Sequence, residues 1–315
     1  SPDCGARRSS SNLRGCDLRR QNLSGLDLSR SDLSGARLEG ANLSKANLQC
    51  AVLARADLSF ADLSGADLTE ANLQVALLRK VKLRGADLTR ADLSGASLAD
   101  VKDGAGAVFR QTHITGLQAE DLSLDGADFR GADLRRARLA DVRLAGGDLR
   151  DADLSDAQME DVVLSSALLA GARLSAARLA GVDFSRVDLT SATLDGLQGE
   201  GIRFVDARLS GVSLEKARLP DSDFSRADLA GARMAGFEGE DVKFAAALMH
   251  GSDLRGAFLQ DADFSGADLT DAELGGLVGE VVRFVGAKMS GISLQGARLA
   301  GVDLTSATLA HSSSR

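Results

Sequence analysis

The sequence predicts a repeat array whose backbone turns a corner every five residues and completes a coil every twenty. Three observations lead there. Leucine stands at every fifth position from Leu13 to Leu98, eighteen times running. After a slip of one residue the same beat resumes at Phe109 and holds to Leu309. A period of five fits neither the 3.6 of an α-helix nor the 2 of an ordinary strand. Second, Phe184, Phe204, Phe224, Phe244, Phe264 and Phe284 recur every twenty residues, which stacks them on one face of a four-cornered coil. Third, a 40-residue unit overlies both periods. GLQAEDLSL at 116 to 124 is echoed by GLQGEGIRF at 196, GFEGEDVKF at 236 and GLVGEVVRF at 276, with DAQMEDVVL at 156 a looser copy.

The elements follow in order. Residues 1–12 precede the first repeat and are expected to cover the open end of the array. Residues 13–98 form a first block of 18 units. Residues 99–108 contain the extra residue, within ADVKDGAG, and read as a register-shifting loop that bulges from a continuous axis. Residues 109–310 form a second block of 41 units, with five 40-residue units from position 115, and residues 311–315 are a tail. Across the 59 units, 55 central positions are Leu, Ile, Met or Phe, and burying each contributes ~1.5–3 kcal/mol before chain entropy is subtracted. Where the centre shrinks to Gly199, Gly239 and Gly279, the residue two before grows to Leu197, Phe237 and Leu277. Volume lost at one position is restored at the other, as close packing requires.

The motif A-(D/N)-L-x-x, seen here as ADLSG, ANLSK, ADLTE and ADFRG, resembles the signature of the pentapeptide-repeat proteins over residues 11–310. The resemblance implies an all-β fold, a right-handed quadrilateral parallel β-helix with four pentapeptides per coil. It also implies that the central residue and the one two before it point inward. About 15 coils at the ~4.8 Å spacing of hydrogen-bonded strands would make a rod ~70 Å long, monomeric or associating end to end. On this register Cys16 fills an inward small position and Cys4 lies in the pre-repeat segment. Two readings stay open for them, a Cys4–Cys16 disulfide clamping the cap and two free buried thiols. The clamp would suit a periplasmic or secreted protein and the thiols a cytoplasmic one. Cys50 falls at an outward corner.

Composition excludes several functions. The chain carries a net charge of −8. Residues 1–100 are close to balanced and the remainder is acidic, which argues against a nucleic-acid partner. No apolar run reaches the ~18 residues of a membrane span, so no membrane insertion is expected. His113, His250 and His311 are the only histidines. They form no nucleophile–base set with the corner serines and threonines, and no Cys/His cluster has zinc spacing. No catalytic residue, metal or cofactor is expected.

The outward positions are more informative. On one corner successive coils present Glu120 and Asp121, Asp141, Glu160 and Asp161, Glu200, Asp221, Glu240 and Asp241, Asp261 and Glu280. This acidic column is either a dock for a basic partner or a solvated edge. Interleaved Arg138, Arg178, Arg218 and Arg298, and the sign-alternating series from Asp183 to Asp303, favour the solvated edge. Val52, Phe60, Val75 and Leu77 also lie at outward positions of neighbouring coils and are candidates for a docking patch. The expected function is a non-enzymatic structural or interaction protein that presents flat faces to a protein partner of unknown identity. The alternative is an acidic DNA mimic that binds or protects a type II topoisomerase. The interleaved basic residues and the lack of an apolar C-terminal helix in TSATLAHSSSR, residues 305 to 315, stand against it.

Overall fold

The computed structural model describes residues 1–310, so the tail expected at 311–315, His311 included, lies outside the described residues. The chain falls into two compact units, Ser1–Gln158 and Met159–Arg315. Each is a parallel β-solenoid, and no helix occurs among the described residues. In the first unit Asn12, Asp17, Asn22 and Asp27 bridge in parallel to Asp32, Arg37, Asn42 and Asn47. In the second, Asp183, Asp188, Thr193 and Gln198 bridge likewise to Arg203, Arg208, Ser213 and Arg218. Four bridges in every twenty residues make a four-sided coil.

A single pentapeptide shows why the backbone does this. In Ala61-Asp62-Leu63-Ser64-Gly65 the inward Ala61 and Leu63 are fully buried. Leu63 and Gly65 donate their N–H groups one coil forward, to Lys82 O and Arg84 O at 2.9 Å. Asp62 donates one coil back to Ala41 O, and Ala61 closes the preceding corner by donating to Leu58 O, as Ala66 does to Leu63 O. The remaining donor, Ser64 N–H, meets the Asp62 carboxylate Oδ1 at 3.0 Å. Every backbone N–H in the unit is thereby paired. The Asp or Asn of the motif is an internal cap for its own corner. Gly65 turns the corner at φ +64°, in the left-handed region where glycine pays no Cβ penalty.

Regular strand marks about ten turns rather than the expected 15. These are β1 (Ser97–Ala99), β2 (Gln118–Ser123), β3 (Arg138–Arg143), β4 (Gln158–Glu160) and β5 (Arg178–Ala180), then β6 (Gln198–Glu200), β7 (Glu238–Glu240), β8 (Phe258–Gln260), β9 (Val278–Glu280) and β10 (Arg298–Ala300). The other turns are closed by single bridges between residues about twenty apart. None of the ten strands begins with Asp or Asn. The missing acceptor does not by itself make a strand, since Val52, Leu77 and Arg203 also lack it and close their turns by single bridges. Between β6 and β7 the run is interrupted at Pro220, which has no N–H to give a ladder and accepts Gly201 N–H at 3.0 Å.

The register shift resolves to one residue. Ser123 N–H bonds Val101 O while Leu83 N–H bonds Asp103 O, so Val101 and Asp103 hold ordinary repeat positions and Lys102 is the insertion. Lys102 is exposed and pairs with Asp121, and Asp103 pairs with Arg84 at 2.7 Å. The pairings that span it run at a separation of 21, as in Ser97↔Gln118, and those beyond it return to 20, as in Val108↔Asp128. At the other end of this unit a Cys4–Cys16 disulfide ties residues 1–12 to the first coil. Asp3 N–H bonds Asn12 O at 2.8 Å, and the Ser11 hydroxyl bonds Arg8 O at 2.6 Å. The central leucines of that coil, Leu13 to Leu28, are at most 1% exposed.

The core of the second unit is a column of stacked rings. Phe184, Phe204, Phe224, Phe244, Phe264 and Phe284 lie 4.6–5.1 Å apart with ring planes within 15°. Phe237 stands edge-on to Phe224 and Phe244 at 6.2 and 6.3 Å. It fills the volume that Gly239 leaves. A Cβ on Gly239 would meet Val242 Cγ2 in hard overlap and Phe237 Cε1 at 3.0 Å.

Three outcomes are expected. Phe224→Ala opens a ring-sized gap in the column and should destabilise it by about 3–5 kcal/mol, read by chemical denaturation; near-neutral stability would count against the stack. Gly239→Leu alone should overpack and cost about 1–3 kcal/mol, whereas Gly239→Leu with Phe237→Ala should recover most of that loss. Acid should weaken the corners. The Arg135 guanidinium, with the Arg135 N–H, holds the Asp133 carboxyl at about 2. At Asp128 partial burial pushes upward, but hydrogen bonds from Arg130 and Arg110 prevail and hold it at about 2. Both lie below the ordinary carboxylate value, so the stability they contribute is full above about pH 4 and drains as pH falls towards 2. Thermal melts across that window should show the loss, and Asp133→Asn, which keeps the acceptor oxygen but no charge, should lessen it.

Candidate interaction faces

Inward positions are consumed by packing, so any site must be built from the residues either side of each centre and from the corners. The expected acidic column maps onto the third position of β2, β4, β6, β7 and β9, and Glu120, Glu160, Glu200, Glu240 and Glu280 are all exposed. It is not continuous. Glu120 is flanked by Ala99 and Ala140, Glu200 by Ala180, and Glu240 and Glu280 by Gln260 between them. Within the second unit the glutamates fall on alternate rungs, ~9.6 Å apart at two strand spacings, with the exposed corner aspartates Asp161, Asp221, Asp241 and Asp261 beside or between them. The glutamates alone stand further apart than the ~8 Å Debye length of physiological salt, and the aspartates close that spacing.

Basic groups relieve the acidity. Arg218 approaches Glu238 at 3.8 Å, Arg226 forms a two-armed pair with Asp206 at 2.7–2.9 Å, and Arg208 lies 3.5 Å from Asp188. The series Asp183, Arg203, Asp223, Lys243, Asp263, Arg283, Asp303 runs as one unbroken ladder of parallel bridges. Its aspartates also cap their own corners, as Asp223 does to Ser225 N–H at 2.9 Å. Each such exposed pair is worth at most about 1 kcal/mol. They organise the surface more than they stabilise it.

The apolar set has no direct pairing across coils. Val52 is half-buried, while Phe60, Val75 and Leu77 are exposed. Val52 sits between Asp32 and Asn72 on its ladder, and Leu77 between Asp57 and Ser97. Phe60 stands at a corner with Lys80 Nζ 5.6 Å above its ring, a contact worth about 0.5–1 kcal/mol at an exposed site. No one of the four is a ladder partner of another. The five-residue beat placed each outward but could not show what stood on the adjacent coil.

One apolar pair was missed. Phe258 in β8 and Val278 in β9 are direct ladder partners, 50% and 37% exposed. Among the described residues no other two exposed large hydrophobics share a rung-to-rung pairing. Adding twenty to Phe258 would have found Val278.

Chemistry-bearing groups remain scattered. His113 bridges to Asp92 and Asp133 in the first unit, and His250 is exposed in the second. Cys50 is a free, exposed thiol 3.6 Å from Glu70 Oε2. Among the described residues no group of three or more His, Cys, Asp or Glu is placed to hold a metal ion. No helix is long and apolar enough to cross a membrane. An internal apolar cavity in the first unit, lined by Phe109, Ala119 and Phe129 among others, holds about 20 Å³, room for little more than one water. In the second unit an open depression borders Arg178, Gln198, Glu200, Arg218 and Pro220.

The pentapeptide-repeat profile matches the sequence in eight copies, at residues 11–49, 36–74, 71–102, 120–156, 157–196, 202–237, 241–277 and 282–313. Comparison with curated proteins gives no match. Among solved structures the chain is similar to HetL, a pentapeptide repeat protein involved in heterocyst differentiation regulation in the cyanobacterium Nostoc sp. strain PCC 7120. The two are 25% identical over 85% of this chain and 88% of that one, with a TM-score of 0.23. A pentapeptide repeat protein of the Arabidopsis thaliana thylakoid lumen is 34% identical over 39% of this chain and 70% of its own, with a TM-score of 0.24. QnrB1, a plasmid-mediated fluoroquinolone resistance protein, is 17% identical over 85% and 91%, with a TM-score of 0.18. Scores this low carry no functional argument. The repeat matches cover most of the chain and agree with the five-residue corners seen in both units: the chain belongs to the pentapeptide-repeat family.

Proposed function

We propose that the chain is a non-enzymatic interaction protein that presents the flat sides of its coils to a protein partner. One observation carries this reading. The twenty-residue register sorts every outward side chain into columns along the solenoid, a fixed pattern of charge and apolar area that a partner surface can match. Phe60 and Leu77, though separate, are exposed apolar points on such columns in the first unit. The Cys4–Cys16 bond supports an oxidising compartment, periplasmic or secreted; two free thiols in protein freshly isolated from its native source would oppose it.

The rival is an acidic DNA mimic acting on a type II topoisomerase. Charge density weighs against it. A duplex carries one phosphate per ~1.7 Å of axis, whereas the glutamates and corner aspartates of the second unit together offer about one carboxylate per ~4.8 Å coil, roughly a third of that density, with arginines interleaved. A DNA-gyrase supercoiling assay decides between the two. The purified protein should leave supercoiling unchanged. Potent, salt-sensitive inhibition, abolished by reversing Glu200, Glu240 and Glu280, would instead establish the mimic. For the leading reading, immobilised protein should retain a partner from its native lysate, and Phe60→Asp with Leu77→Asp should release it.

A further inference from the structure

We propose that the side of the second unit formed by β7, β8, β9 and β10 is a self-association surface, occupied by the same side of a second copy in antiparallel register. The proposal goes beyond a protein partner of unknown identity and stands independently of it. The observation is a pattern along the four rungs. Their first residues are Glu238, Phe258, Val278 and Arg298, in that order, and β7–β8, β8–β9 and β9–β10 are each paired in parallel register. All four side chains are exposed. An exposed apolar pair is thus bracketed by an acid at one end and a base at the other.

Such a column is complementary to its own reversal. A two-fold axis running along the strand direction, between β8 and β9, inverts the order of rungs and leaves each column facing its own copy. Glu238 then meets Arg298 of the second copy, Phe258 meets Val278, and both contacts occur twice, as an isologous interface requires. The neighbouring column obeys the same operation. Its residues are Glu240, Gln260, Glu280 and Ala300, so Gln260 faces Glu280 and Glu240 faces Ala300. No two like charges are opposed. The parallel arrangement fails this test, because it sets each column against the other, placing Glu238 on Glu240 and Val278 on Glu280.

The charged ends are free to act. Glu238 is 58% exposed and its contact with Arg218 is a loose 3.8 Å, while Arg298 makes no ion pair among the described residues. With Phe258 and Val278 half or a third exposed, their burial supplies the apolar centre and the ion pairs a polar rim. The face spans about 20 Å by 10 Å of strand, well under the ~800 Å² per partner of a standard stable complex. The association is therefore reversible and concentration-dependent.

Sedimentation velocity over a concentration series should show a monomer–dimer equilibrium. Phe258→Asp should abolish it with the melting temperature unchanged. Glu238→Arg and Arg298→Glu should each weaken it about tenfold or more, since either reversal acts at two symmetric contacts. The combined Glu238→Arg, Arg298→Glu variant should return to near the parent affinity. In a Cys50→Ser background, mixing Phe258→Cys with Val278→Cys chains should give the mixed disulfide in preference to either self-linked product. A chain that stays monomeric throughout, a charge swap that fails to restore association, or self-linked products in excess would each overturn the proposal. So would loss of a different captured protein on Phe258→Asp without any dimer in the parent.

Discussion

Each coil depends on the hydrogen bond that a central residue donates to the carbonyl one coil further on. Leu63 N–H to Lys82 O is one instance. Because that bond pairs each bridging residue with the one twenty further on, as Asp62 with Lys82, the chain must turn four times in twenty residues and bring its ends back into phase. Every local feature answers to this demand. A small residue two before the centre lets the corner close over the core, and an Asp or Asn beside the centre captures the one N–H that the ladder leaves over. A residue with positive φ then redirects the chain. The leucines fill what the backbone encloses; they do not by themselves specify the shape.

The period, the four sides and the phenylalanine column were legible in the sequence, since each is a recurrence at fixed spacing. The exchange of size between Phe237 and Gly239 was legible too, because packing density is conserved along the repeat. Other features lay beyond the reach of spacing. That Asp62 accepts a hydrogen bond from Ser64 is a fact of side-chain direction, and the preference for Asp or Asn alone does not reveal it. Where regular strand gives way to single bridges is not legible from residue type either, since Val52, Leu77 and Arg203 form single bridges without that acceptor. Val52, Phe60, Val75 and Leu77 shared an outward direction without sharing a rung, and adjacency across rungs was decided by register. The Cys4–Cys16 bond depended on how residues 1–12 fold back, for which the repeat offered no guide.

A surface sorted this way carries its information in order along a column. A single carboxylate on a solvated edge is weak and screened, and the same holds for each arginine. The order Glu, Phe, Val, Arg is a different kind of feature, since it distinguishes one direction of approach from the other. Whatever binds a pentapeptide solenoid side-on reads such sequences of rungs, so exchanging two outward residues between coils changes the surface although composition and net charge stay the same.

Lys102 shows how such a lattice accommodates error. The extra residue sits between Val101 and Asp103, its side chain in water beside Asp121, and Phe109 onwards resumes the alternation of inside and outside undisturbed. The insertion lies within a side, between the positive-φ corners at Asp100 and Gly106, yet Val101 and Gly104 both stay buried. One outward bulge thus works as a buffer between drift in sequence length and the strict periodicity of the interior. Such a bulge lets a side take in an extra residue while its corners and its core keep their order.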